Sequence, residues 1–166
     1  MEEWTQSCCF TGHRPEKLPW GYDEQDPRCL KLKEELACHV EGVYLALCRH
    51  FICGMARGCD LYFAEAVLQL REKYPDVTLE AAIPCDTQAN GWSMAEQRRY
   101  EHLMAECDEV TFVAHAYSPG CMQRRNEYMV DSSSVLIAVY NGTAGGTMNT
   151  ILYARRKGLK VITIEI

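Results

Sequence analysis

Short apolar runs alternate along the chain with longer segments in which apolar residues recur every three or four positions. The runs are rich in Val, Ile, Phe and Cys and are bounded by Gly or Pro, which is typical of strands buried in a parallel sheet. They predict six strands, at residues 7–11, 50–53, 77–83, 110–114, 134–140 and 160–166.

The segments between these runs predict five amphipathic helices. In the first, one helical face carries four apolar residues, Leu36, Val40, Val43 and Leu47. The others are predicted at about residues 60–74, 93–106, 122–131 and 147–157, and Gly158 is expected to end the last of them. Alternation of strand and helix, repeated five times, predicts an α/β fold with a mostly parallel open sheet and helices on both faces.

Composition places the chain among ordinary globular proteins. Its 166 residues suit one domain over 1–166, and 48% hydrophobic with 24% charged residues argue against intrinsic disorder. No apolar run approaches the roughly 18 residues of a membrane span, and the polar, acidic N-terminus differs from a secretory signal. We therefore expect a cytoplasmic protein with no membrane partner. A formal charge of −6 argues against a nucleic-acid partner.

Ten cysteines are the unusual feature of the composition. Most lie within apolar stretches, which predicts reduced, buried thiols and not disulfides. No Cys-x-x-Cys pair occurs, and the histidines after the first loop also lack ligand spacing: His39, His50, His102 and His115. We therefore predict no metal site. Cys59, which lies in a glycine-containing loop, is the one thiol that we consider a candidate for reactivity.

Three glycine-containing loops directly follow predicted strands, at residues 11–15, 54–60 and 141–147. In a parallel sheet these loops emerge at the carboxyl edge, where open α/β sheets bind ligands. Glycine lets backbone N–H groups approach a ligand, and the N-terminus of the following helix attracts anions, so this edge suits phosphate. None of the loops matches the Gly-x-Gly-x-x-Gly fingerprint or the P-loop. The proline-rich segment 12–27 is expected either to close over the ligand or to pack against the sheet edge.

The candidate nucleotide-binding residues lie in these loops and in the fourth helix: Gly12, His13, Arg14, Gly54, Met55, Gly58, Asp60, Arg125, Asn126, Gly145, Gly146 and Thr147. Arg125 would clamp a phosphate bidentately, although a solvated helix face is the alternative for it and, more strongly, for Arg124. Asp60 would either accept a hydrogen bond from a ribose hydroxyl or cap the second helix. His13 lies between glycine and arginine in a loop, so we expect it not to be buried in the core.

Several segments of the chain resemble one known family. They are the run from Phe10 to Leu18, Gly54-Met55-Ala56 with Gly58 and Asp60, Trp92, Arg125-Asn126 with Met129-Val130-Asp131, and Gly145-Gly146-Thr147 after Tyr140. Together they resemble the YpsA-like bacterial proteins, a branch of the SLOG superfamily named for the Smf/DprA and Lonely-guy proteins. The resemblance implies a single Rossmann-like three-layer domain with a nucleotide-type ligand at the strand ends. By analogy with superfamily relatives, it also implies a homodimer or larger homo-oligomer.

Three functions are compatible with this resemblance. The first is a sensor or regulator that binds a nucleotide or nucleotide derivative in bacterial stress or cell-division physiology. The second is a phosphoribohydrolase-like enzyme that cleaves nucleotide N-glycosidic bonds, as Lonely-guy proteins do, with Arg125 as the catalytic residue. The third is DprA-like binding of single-stranded DNA, which the negative charge disfavours.

The second function lacks one expected group. Thr150 stands where the Lonely-guy enzymes carry a catalytic glutamate, and threonine has no charge to stabilise an oxocarbenium-like transition state. A substitute carboxylate would come from Asp60, Glu127 or Asp131. We therefore favour the first function, with a nucleotide-type ligand and no further cofactor, over an enzymatic one.

Overall fold

The computed structural model describes residues 6–166, which form one six-stranded, all-parallel sheet. The strands are β1 (Gln6–Thr11), β2 (Cys48–Cys53), β3 (Thr78–Ile83), β4 (Glu109–Phe112), β5 (Val135–Tyr140) and β6 (Lys160–Glu165), in the order β4-β3-β2-β1-β5-β6. The predicted strands are confirmed, with ends that differ by at most two residues. Residues 1–5, which include most of the segment used to argue against a secretory signal, lie outside the described part of the chain.

The five predicted helices are also present in residues 6–166. They are α1 (Pro27–Leu45), α2 (Cys59–Lys73), α3 (Met94–Glu106), α4 (Cys121–Asp131) and α5 (Gly146–Arg156). The apolar pattern placed the start of α1 too late, because Pro27 suits the first helical position and Asp26 caps the helix by accepting a hydrogen bond from the Arg28 N–H at 2.9 Å. Gly158 follows α5 with a φ of +82°, as expected of a residue that ends a helix. None of the helices within residues 6–166 combines the length and apolar character needed to cross a membrane.

Helices cover both faces of the sheet, which confirms the α/β class. The larger core lies between the sheet and α1, α2 and α3, where Phe10 of β1 stacks on Phe63 of α2 with ring centroids 4.6 Å apart. The smaller core lies under α4 and α5 and includes Ile52, Leu136 and Ile151. Successive side chains of a strand point into opposite cores, so the carboxyl-terminal halves of β1 and β2 and most of β5 are buried on both faces.

The centre of the sheet contains the point where the strand order reverses. β1 lies between β2 and β5. The chain extends the sheet from β1 to β4 and then returns to place β5 on the other side of β1. α1 leaves β1 on one face of the sheet, while α5 leaves β5 on the opposite face. Connections that diverge in this way leave a crevice outside the carboxyl ends of the two strands.

The proline-rich segment 12–27 packs in part against the larger core. Leu18 and Trp20 are buried, and Trp20 Nε1 donates a hydrogen bond to the Tyr62 hydroxyl of α2 at 3.3 Å. A short 3₁₀ turn at Pro15–Lys17 precedes these residues. The segment was predicted either to close over a ligand or to pack against the sheet edge. Its later part, which contains Leu18 and Trp20, does the second.

Candidate functional site

A cleft of about 430 Å³ opens at the carboxyl ends of β1 and β5. Its walls come from the end of β1 and the loop after it, the loop before α2, the first half of α4 and the N-terminus of α5. Eight of the twelve predicted site residues line the cleft: Gly12, His13, Arg14, Asp60, Arg125, Asn126, Gly146 and Thr147. The topology thus brings together residues that are widely separated in sequence.

Gly54 and Met55, two of the remaining predicted residues, lie behind Arg125. The Gly54 carbonyl oxygen accepts a hydrogen bond from Arg125 Nη1 at 2.6 Å, and a Cβ on Gly54 would lie 2.5 Å from the same nitrogen. Met55 is fully buried and has a positive φ of +59°. These residues shape the backbone that holds Arg125.

Gly58 and Gly145, the last two predicted residues, stand immediately before α2 and α5. Gly58 has a φ of +87°, and a Cβ there would lie 2.8 Å from the carbonyl oxygen of His13. Gly145 has a φ of +150°, and a Cβ there would lie 2.7 Å from Lys17 Nζ. A side chain at either position would be strained and would press on a residue that lines the cleft.

Arg125 is a buried cation in the wall of the cleft, with 3% of its surface exposed. The solvated-face interpretation is therefore wrong for Arg125, whereas Arg124 is exposed. Besides its bond to Gly54, Arg125 donates from Nε to Asn126 Oδ1 at 2.9 Å. Its Nη2 contacts only the weak acceptor Met122 Sδ, at 3.7 Å, among the described residues. Nη2 therefore retains donor capacity for a ligand oxygen.

Asp60 is a buried carboxylate in the same cleft. Its Oδ2 accepts a hydrogen bond from the Ala56 N–H at 3.0 Å, which leaves Oδ1 for a ligand hydroxyl. Burial raises the pKa of this carboxyl, although Arg125 and the Ala56 N–H act in the opposite direction. The helix-capping interpretation of Asp60 is wrong, because α2 begins at Cys59 and Gly58 occupies the cap position.

A hydrogen-bonded chain joins the loop after β5 to the start of α5 through His13. The Asn141 N–H donates to His13 Nε2 at 3.0 Å, which assigns the ring proton to Nδ1, 3.4 Å from Thr147 Oγ1. Thr147 Oγ1 accepts the hydrogen bond from His13 Nδ1–H, so the hydroxyl proton of Thr147 is free to donate into the cleft.

The prediction that His13 is not buried is wrong, since only 3% of it is exposed. Burial lowers the pKa of His13, with a further contribution from the charge of Lys17, so the imidazole is neutral at neutral pH. The main compensating partner of His13 is the backbone N–H of Asn141, 128 positions away. A backbone donor this distant leaves no pattern near His13 in the sequence.

Positive charge gathers where the loop after β1 meets α5. α5 begins at Gly146 without a side-chain cap, so its first N–H groups and the positive end of its dipole lie at the cleft. Arg14 and Lys17 are exposed at the rim. Lys17, whose Nζ donates to the Ala144 carbonyl oxygen at 2.9 Å, was missed by the sequence analysis. Its position within the run from Phe10 to Leu18 was the available signal.

Thr150, the residue at the place of the Lonely-guy glutamate, does not line the cleft. It is buried in α5, and its hydroxyl donates to the Gly146 carbonyl oxygen at 2.8 Å. Glu127 and Asp131 do not line the cleft either. Of the three carboxylates considered as substitutes, Asp60 is therefore the one that faces ligand space.

All ten cysteines lie among the described residues as free thiols, and eight of them are buried, which confirms the prediction of reduced, mostly buried thiols. Cys59 is one of the buried group. Burial, reinforced by the neighbouring Asp60 charge, strongly raises the pKa of the Cys59 thiol. This argues against Cys59, the one candidate for a reactive thiol, because nucleophilic attack requires the thiolate.

The fold and the cleft together define a Rossmann-like α/β protein with a ligand-sized crevice at the switch point of its sheet. The family model of YpsA, described as "YspA SLOG family", matches residues 8–160. The chain belongs to this family, which confirms the resemblance found in the sequence.

Related bacterial proteins match most of the chain. The SPbeta prophage-derived protein YoqJ of Bacillus subtilis (strain 168) is 32% identical over 145 residues, which cover 80% of this chain and 85% of YoqJ. A UPF0398 protein of Bacillus anthracis (strain A0248) is 29% identical over 152 residues, which cover 89% of this chain and 80% of that protein.

Two solved structures of DNA processing protein A (DprA) share the fold. The protein from Streptococcus pneumoniae has a TM-score of 0.63 at 17% identity over 95% of this chain, and the chain spans 50% of its length. The protein from Helicobacter pylori, studied for its single-stranded DNA binding mode, has a TM-score of 0.66 at 13% identity over 96% of this chain, and the chain spans 65% of its length. At these identities the similarity concerns the fold alone.

Proposed function

We propose that this protein binds a nucleotide or nucleotide derivative in the cleft and acts as a ligand sensor or regulator. The observation that supports this most strongly is the presence of two buried ionisable side chains, the guanidinium of Arg125 and the carboxyl of Asp60, in one cleft. Buried charges are costly unless polar partners satisfy them, and each of these groups retains a polar atom for a ligand. The cleft volume of about 430 Å³ lies within the range of small-molecule sites, roughly 300–1,000 Å³.

The phosphate of the ligand would lie at the N-terminus of α5. Backbone N–H groups from Gly146 onward and the Thr147 hydroxyl would donate to its oxygens, and Arg14 and Lys17 would balance its charge from the rim. This arrangement needs no metal ion to hold the phosphate. It matches the anion preference of an uncapped helix N-terminus.

The sugar would lie between Asp60 and Arg125. A carboxylate accepts hydrogen bonds, so Asp60 suits a ribose hydroxyl, whereas the free Nη2 of Arg125 suits a sugar or phosphate oxygen. A ligand that carries both a hydroxyl pair and a phosphate fills these complementary positions together. Nucleotides have both groups, while inorganic phosphate has only one of them.

A thermal-shift panel tests this proposal. The probes are nucleoside mono- and diphosphates, dinucleotides and ADP-ribose, with inorganic phosphate and free nucleosides as matched partial ligands. A ligand at ~100 times its Kd adds about 2.7 kcal/mol to the free energy of unfolding, which raises the Tm by several degrees. We expect nucleotides to stabilise the protein more than either partial ligand. A panel in which no nucleotide raises the Tm would contradict the proposal.

A second candidate, cleavage of nucleotide N-glycosidic bonds, is favoured by one observation. Asp60 lies with Arg125 in the cleft, so a carboxylate is available although Thr150 replaces the expected glutamate. A buried carboxylate of this kind would stabilise positive charge that develops on the sugar. The test is free base released from nucleoside monophosphates, with Asp60→Asn as the matched variant. Release by the parent protein that Asp60→Asn abolishes supports hydrolysis, and no release above blank excludes it.

Single-stranded DNA binding has no comparable support in this chain. The net charge of −6 disfavours attraction of a phosphate backbone. We expect no retardation of a single-stranded oligonucleotide at low salt, and salt-dependent retardation would reverse this order of candidates.

A further inference from the structure

A second group of functional side chains lies on the sheet away from the cleft. It consists of His50 on β2, Glu80 on β3 and Glu109 on β4, which we call the β2–β4 cluster. The side-chain nitrogen and oxygen atoms that could bind a metal all lie within 4.8 Å of one another. Neighbouring parallel strands bring them together, since Glu80 is paired directly with Glu109. No sequence spacing relates these residues, which is why no metal site was predicted from the sequence.

The surrounding hydrogen bonds hold two members of the cluster, His50 and Glu80, in place. His50 Nδ1 lies 2.7 Å from Thr78 Oγ1, which fixes the ring and turns Nε2 toward Glu80 Oε1, also 2.7 Å away. The other carboxylate oxygen of Glu80, Oε2, accepts hydrogen bonds from the hydroxyls of Tyr128 at 2.6 Å and Thr111 at 2.9 Å. Histidine and carboxylate ligands of metal ions are held by outer partners in this manner.

The electrostatics of the cluster call for a cation. Glu80 is buried and lies directly opposite a second acidic residue, Glu109, on the next strand. Like charges in opposite positions destabilise a sheet. Even a protonated imidazole would balance only one of the two negative charges.

We propose that His50, Glu80 and Glu109 form a binding site for a divalent transition-metal ion of the Zn²⁺ type. Tetrahedral ligands with metal bonds of roughly 2.0–2.2 Å lie about 3.3 Å from one another. The distances from His50 Nε2 to Glu80 Oε1, 2.7 Å, and to Glu109 Oε2, 3.9 Å, lie on either side of this value. Small side-chain movements therefore reach coordination geometry, and the side chain of Glu109 is 58% exposed and free to make them.

The three ligands determine which metal ion the site prefers, and they leave one coordination position open. One imidazole with two carboxylates suits Zn²⁺ and its neighbours in the first transition row, whereas Mg²⁺ and Ca²⁺ prefer oxygen ligands alone. Three protein ligands leave a fourth position for water. This inference is independent of the nucleotide proposal, since none of the three residues lines the cleft.

Isothermal titration of the chelator-treated protein with Zn²⁺ tests the site, with the visible absorption of bound Co²⁺ as a second readout. We expect one site whose affinity falls at least about tenfold in both Glu109→Gln and His50→Gln. The matched control is His115→Gln, because His115 is an exposed histidine that also contacts a carboxylate, Asp86 Oδ1 at 3.0 Å. Cys38→Ser controls for binding to the exposed thiol.

Each result of the Zn²⁺ titration either supports or overturns the proposed site. Loss of one Zn²⁺ site in Glu109→Gln and His50→Gln, with binding retained in both controls and circular dichroism unchanged, supports the proposal. Absence of Zn²⁺ binding by the parent protein overturns it, and so does binding that Glu109→Gln leaves unchanged. In either of those cases the β2–β4 cluster is a hydrogen-bonded anchor for Glu80 and not a metal site.

Discussion

Arg125 Nη1 donates a hydrogen bond to the Gly54 carbonyl oxygen at 2.6 Å, and this contact joins α4 to the loop after β2 at the wall of the cleft. The two groups approach so closely because residue 54 has no side chain. A Cβ at this position would lie 2.5 Å from Nη1 and 2.7 Å from the guanidinium carbon. The orientation of the buried arginine thus depends on glycine at position 54.

Replacing Gly54 with alanine is therefore expected to displace Arg125. Overpacking of this kind costs about 1–3 kcal/mol in the free energy of unfolding, which a urea titration measures. Ligand affinity should fall as well, because Nη2 moves with the rest of the guanidinium. Gly42→Ala is the matched control, because Gly42 is an exposed position in α1 where an added Cβ would meet no atom within 4 Å beyond its own helical turn. Alanine there should stabilise the helix by about 1 kcal/mol. Equal stability and binding in Gly54→Ala and the parent would show that the contact does not position Arg125.

Thr147→Val should weaken ligand binding while keeping the side-chain shape. The valine lacks the hydroxyl that faces the cleft, and a lost hydrogen bond to a charged phosphate reduces affinity about tenfold or more. Thr150→Val is the matched control, because the Thr150 hydroxyl is also buried in α5 but donates to the Gly146 carbonyl oxygen. Calorimetric titration of both variants with the best ligand of the panel compares them. Similar losses of affinity in the two variants would place the effect in the helix and not in a contact with the ligand.

His13 should make the protein less stable in mild acid. Its pKa in the folded protein is lowered from 6.5, so below about pH 6.5 the unfolded chain binds a proton that the folded protein resists. Above about pH 6.5 the neutral imidazole contributes its full share to the free energy of unfolding. This share is lost as the pH falls from about 6.5 toward the lower pKa of the folded protein. Urea titrations between pH 7.5 and 5.5 should show a steeper loss in the parent than in His13→Gln. Parallel pH profiles for the two proteins would contradict this account of His13.

The sequence predicted most of the fold because the central strands are buried on both faces. Apolar runs such as Val135–Tyr140 therefore mark the central strands, and a glycine-containing loop follows β1, β2 and β5. The start of α1 was misplaced because its first turn is defined by the cap at Asp26 and by Pro27, not by apolar periodicity. Local chemistry of this kind is visible in a sequence only when capping residues are considered together with the hydrophobic pattern.

The candidate site was predictable to the extent that strand ends determine it. Gly12, Arg14 and Thr147 follow directly from the rule that loops at the carboxyl edge meet. The burial of His13 was not predictable, since its partner is a distant backbone N–H. The alignment of Glu80 with Glu109 also escaped the sequence analysis, because it depends on the register between β3 and β4.

The most direct test of the central claim is calorimetric titration of the stabilising nucleotide into three proteins: the parent, Arg125→Lys and Arg124→Lys. Both substitutions keep the charge and lie side by side in α4, but only Arg125 is buried in the cleft wall. We expect Arg125→Lys to lower affinity at least about tenfold, because lysine lacks the planar fork of donors, and Arg124→Lys to bind like the parent. Equal affinity in Arg125→Lys and the parent would contradict the claim that this cleft is the nucleotide site.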